Sequence, residues 1–152
     1  MDVQDTRRLL DLIGRKHDCL TRLREHGLRQ QELIETGEMT QLLGLLAVKQ
    51  RELNELHDLE TQLNPFRDQD PDRRRWSSDA ERLRCASLAE QAARLLREIL
   101  DCEKRCEESL QRRRDETAVQ LAAVQTAGMA RGAYAGGTND YSTSTLDLTT
   151  ES

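Results

Sequence analysis

Apolar positions recur at alternating intervals of three and four along residues 39–63, MTQLLGLLAVKQRELNELHDLETQL. Met39, Leu42, Leu46, Lys49, Leu53, Leu56, Glu60 and Leu63 make the row, and six of these eight are apolar. This is the spacing of a coiled-coil seam on an α-helix. Leu43, Leu45 and Leu59 widen it into a broader face. No proline interrupts the stretch and β-branched residues are almost absent, so local propensity agrees with the period. A helix so rich in leucine on one side requires a partner in water.

The same reading extends in both directions. Residues 2–36 predict a first helix, capped by Asp2 or Asp5, with Leu9, Ile13, Leu20, Leu23 and Ile34 on its apolar side. Lys16, Gly27 and Gln30 stand at positions where that seam weakens. Around Thr36-Gly37-Glu38 the row slips in phase, since Ile34, Met39 and Leu42 are five and three apart. The pattern favours one long helix over 6–63 with an irregularity at Gly37; a turn at Gly37 would give three helices instead. Residues 64–77, NPFRDQDPDRRRWS, hold two prolines and no apolar period, and predict a loop. Ser78 and Glu81 then fit a capping box, opening a helix over 78–131. Its seam runs through Cys85, Leu88, Ala92, Leu95, Ile99, Cys102, Cys106, Leu110, Thr117, Leu121 and Val124.

Two arms of about 87 and 80 Å, at the α-helical rise per residue, joined by one loop, point to an all-α fold. The expected form is a long antiparallel helical hairpin of coiled-coil type. The helical domain spans 1–131. Residues 132–152 are rich in Gly, Ser and Thr with three acidic and no basic residues, and predict a flexible tail.

Composition narrows the function. Charged residues make up 34% of the chain and aromatics 3%, the balance of long helices with a thin aliphatic core. The net charge is −5 and no segment has the basic excess that a phosphate backbone demands, so nucleic acid is not an expected partner. Arg73-Arg74-Arg75 and Arg112-Arg113-Arg114 are each flanked by acids and read as solvated faces. With neither an export signal nor a run able to span a bilayer, the expectation is a cytoplasmic protein without stable membrane insertion, its thiols reduced.

Candidate chemistry is sparse. Cys102 and Cys106 share one helix face, but structural zinc takes four ligands and no histidine lies near them; cysteine as a small seam residue is the simpler reading. His17, His26 and His57 are scattered and lack a nucleophile or an oxyanion-binding loop. No catalytic, metal or cofactor site is expected, and the chain does not read as an enzyme. An incompletely buried seam can instead accept a partner helix, and Leu110, Leu121 and Val124 are the candidate protein-binding residues.

Leu42-Leu43, Leu46, Lys49-Gln50, Leu53, Leu56, Leu59-Glu60 and Leu63, preceded by Ile34-Glu35-Thr36-Gly37-Glu38, resemble the first-half pattern of the FlgN family of flagellar type III export chaperones. Leu95-Leu96, Ile99-Leu100, Glu103 and Leu110, followed by tyrosine and glycine, extend the resemblance over residues 6–137. It implies a small cytoplasmic chaperone that holds amphipathic terminal helices of hook-associated proteins, the hook–filament junction proteins, and delivers them to the export gate. It further implies a tyrosine that docks at that gate, for which Tyr134 is the candidate. A structural coiled-coil protein, either a self-associating rod or an export-apparatus stalk component, is the competing expectation, and homo-oligomerisation stays open under both.

Overall fold

In a computed structural model the chain is described over residues 2–136. Among the described residues three α-helices follow one another, α1 over Val3–Thr36, α2 over Met39–Arg67 and α3 over Asp79–Gly136, with a 3-10 turn at Pro71–Arg73 before α3. Among the described residues there is no strand. The chain divides into two compact units, residues 1–110 and 111–152.

In the first unit the chain turns at Gly37, so the single helix expected over 6–63 is two antiparallel helices. The cause is local. Gly37 adopts φ 77° and ψ 19°, the left-handed region where a Cβ is costly. Its N–H donates to Ile34 O (3.2 Å), and the Glu38 N–H donates to Leu33 O (3.0 Å), the paired bonds of a Schellman ending. The Leu42 N–H then donates to Glu38 O, and α2 starts at once. At the other end of α1, Asp2 and Asp5 exchange backbone-to-carboxylate bonds of 2.9 and 3.1 Å, a complete capping box.

Two further boundaries differ from expectation. Helix α2 continues through Pro65 to Arg67, into what the sequence assigned to loop 64–77. Phe66 is the reason: its ring is buried in the core, and its carbonyl accepts from Arg74 Nη2 at 2.8 Å. A proline in the last turn disturbs little that this burial does not offset. Likewise α3 runs to Gly136, so residues 132–136 of the expected tail are helical. Alanine at 118, 122, 123, 127, 130, 133 and 135 carries the helix past Gly128 and Gly132. The rest of that tail, 137–152, lies outside the described residues. At its start α3 shows one half of the expected capping box: the Glu81 N–H donates to Ser78 Oγ at 3.2 Å, while the Glu81 carboxylate accepts from the Ser77 hydroxyl.

Helices α1 and α2 lie antiparallel, as the pairs Lys16–Glu60, Arg22–Glu55 and Gln30–Lys49 require. The first part of α3 packs across both, parallel to α1: Arg24 meets Glu98 at 2.7 Å and Cys106 Sγ lies 3.8 Å from Gly27 O. The apolar core falls into two clusters. Leu9, Leu12, Leu20, Leu23, Leu59, Leu63, Phe66 and Ile99 fill the loop end, with Trp76 packed against them. Leu33, Ile34, Leu42, Cys102 and Cys106 fill the end near the Gly37 turn. The core is therefore less purely aliphatic than composition implied, because Phe66 and Trp76 close its loop end.

Candidate functional site

The polar interruptions of the two seams turn out to answer each other. Lys16 of α1 pairs with Glu60 of α2 at 2.6 Å. Gln30 of α1 accepts from the Lys49 ammonium of α2, and Lys49 also contacts Glu103 of α3. Gly27, the third interruption, is a contact point: a Cβ there would sit 3.3 Å from Cys102 Sγ. Gln30, Lys49 and Glu103 thus form a polar layer between the two apolar clusters, joining all three helices. Beside it His26 Nδ1 approaches Glu52 Oε1 at 2.7 Å without the alignment of a hydrogen bond. Gln30 and Lys49 are buried while the Glu103 side chain is 42% exposed, so the layer opens to solvent on its α3 side.

Lys49 also orients what stays outside. The row Leu46, Lys49, Leu53 runs along the edge of α2 that meets α3, and Leu46 and Leu53 remain 38% and 44% exposed while Lys49 is buried. Met39 and Leu43 continue the outward row at 41% and 69%. From Met39 to Val48 α2 carries no charge on any face. On α3, Leu96, Leu100 and Leu110 share a four–three row with Glu103, the partner of Lys49, and with the exposed Glu107, and stay 39%, 60% and 38% exposed. Leucines of both helices therefore flank the α2–α3 junction on the side away from α1. Exposed leucines grouped in this way mark a candidate interaction surface. Outward leucines at three- and four-residue spacing are the kind of anchor that an amphipathic partner helix uses.

Of the residues singled out from sequence, Leu110 belongs to this first-unit face. Leu121 and Val124 lie in the second unit on α3, 56% and 67% exposed, and Tyr134 lies there too at 84%. Tyr134 stands on the helix and not beyond it, because α3 does not end before Gly136. Met39, Leu46 and Leu53 stand in the seam row that the sequence shows and Leu43 in the wider face beside it, yet all four stay exposed. The missing signal was the turn at Gly37, which rotates α2 so that its core face centres on Leu42, Leu59 and Leu63.

The cysteines are all free and buried. Burial first, then the neighbouring Cys102 thiol, pushes the Cys106 thiol from 9.0 up to about 12, so it stays protonated at neutral pH. Among the described residues no three His, Cys, Asp or Glu side chains converge as a metal site requires, and no helix is long and apolar enough to cross a membrane. An open groove of about 740 Å³ beside the α2–α3 loop is lined by residues that include Ile13, Asp72, Arg74, Trp76, Ser78, Asp79, Arg82 and Cys85.

The chain matches no family model, no curated protein and no solved structure. Its own surface must carry the functional reading.

Proposed function

We propose that this protein is a non-enzymatic, cytoplasmic export chaperone of the FlgN type. It binds amphipathic helices of hook-associated proteins and hands them to the flagellar type III export gate. The observation that carries the reading is the uncovered leucine row along the α2–α3 junction, on a bundle whose core is otherwise filled. A client helix laid there would cover Met39, Leu43, Leu46 and Leu53 from α2 and Leu96, Leu100 and Leu110 from α3. Leu121 and Val124 offer a further apolar contact on the second unit, and Tyr134, fully in reach of solvent, is the residue we assign to the gate.

The test is co-purification of the tagged chain from its own cells. Recovery of a secreted, heptad-rich hook-associated protein, lost when that protein's terminal helix is deleted, supports the reading. Recovery of the chain with copies of itself alone contradicts it and favours a structural coiled-coil protein.

A further inference from the structure

The second unit poses a separate problem. Every side chain from Arg114 to Tyr134 is exposed, including Val119, Leu121, Val124 and Met129 at 56–75%. Within this stretch Thr117–Ala130, TAVQLAAVQTAGMA, contains no charged residue, in a chain that is 34% charged. Such a helix is poorly equipped to stand in water. It has no ion pairs of its own between those limits, and four β-branched residues and Gly128 weaken it. Among the described residues, nothing beyond the helix's own adjoining backbone lies within 4 Å of where a Cβ on Gly128 or Gly132 would be.

The boundaries of the uncharged window say what would cover it. Glu116 closes it on one side and Arg131 on the other. Two copies laid antiparallel with their windows in register bring Glu116 of each opposite Arg131 of the other, at both ends at once. Laid parallel, they would oppose Glu116 to Glu116 and Arg131 to Arg131. In that register Val124 of each copy meets Ala123 of the other beside the axis, and Leu121 lies opposite Thr126. The window spans about 21 Å, four helical turns, and Gly128 lets the two backbones approach. A two-fold axis through its centre pairs both charged ends and places Val124 and Ala123 at the middle of one self-complementary surface.

We infer that the chain dimerises through antiparallel pairing of Thr117–Ala130 with the same segment of a second copy. The pairing does not rest on the chaperone reading. Where both hold, the second copy covers Leu121 and Val124 until a client takes them.

Sedimentation of the full chain over a concentration series tests this, with charge reversals as the discriminating variants. The wild type is expected to show a monomer–dimer equilibrium. Glu116→Arg and Arg131→Glu, each creating two like-charge contacts per dimer, should each weaken it about ten-fold at low salt. The double variant Glu116→Arg/Arg131→Glu should return to wild-type affinity. Leu121→Asp/Val124→Asp should be monomeric, with the melting of the first unit unchanged by circular dichroism. A wild type that stays monomeric throughout would overturn the inference. So would a dimer indifferent to the single reversals, which is the behaviour of parallel pairing or of another surface.

Discussion

The two ends of the three-helix bundle are built differently. The loop end is filled by large side chains from all three helices and closed by Phe66 and Trp76. The turn end holds Leu33, Ile34, Leu42 and two cysteines, with a glycine at the closest approach. The Gln30–Lys49–Glu103 layer separates them. The thinner end is also where α2 is uncharged and uncovered. Stability concentrated at one end leaves the other free to spend its leucines on a partner, which is where adaptable surfaces are usually found.

The sharpest way to break this contrast is to truncate one buried leucine at each end. Leu20→Ala, at 1% exposure in the loop-end cluster, should cost about 3 kcal/mol by urea denaturation. Leu42→Ala at the turn end should cost less, about 2 kcal/mol, because its cavity borders a partly open face. Equal losses would mean that the two ends are one core.

The layer between them gives the next effect. Lys49→Ala strands the buried Gln30 amide and should cost about 2 kcal/mol, whereas Lys49→Met, which keeps the packed stem, should recover part of it. The thiols add a pH dependence. Cys106 is raised to about 12 in the folded chain against 9.0 unfolded, so the folded state holds that proton more tightly. Its contribution is complete below pH 9 and is lost as pH rises toward 12. Urea midpoints should be flat in this respect from pH 7 to 9 and fall beyond it, and Cys106→Ala should flatten the fall. At the turn itself, Gly37→Ala should cost about 1 kcal/mol, since only glycine holds φ 77° without strain.

Much of this was legible in the chain. The all-helical fold, the Asp2 and Ser78 starts and the α3 seam through Cys85, Ala92, Ile99, Cys102 and Cys106 follow from period and capping chemistry. The turn at Gly37 did not follow, because a glycine within a helical pattern reads equally as a kink. Only the pairing of Lys16 with Glu60 and of Gln30 with Lys49 decides between them, and that pairing is tertiary. The same rotation hid the uncovered face: a seam drawn through Leu46 and Leu53 assumes that its centre points inward, whereas α3 meets it at the edge. Pro65 and the glycines after 127 misled for a related reason, since breaker residues near a helix end are overruled by a buried Phe66 and by an alanine-rich stretch.

The smallest expected effect on stability accompanies the largest on binding. Leu43→Glu and Leu53→Glu alter outward side chains and should each shift stability by less than about 0.5 kcal/mol. Titration calorimetry of the full chain against a synthetic terminal helix of a hook-associated protein, for the wild type and for Leu43→Glu/Leu53→Glu, tests the central claim most directly. The α2–α3 face as client site predicts saturable binding by the wild type and at least about thirty-fold weaker binding by the variant, with an unchanged melt. Equal affinity in the two proteins would contradict it.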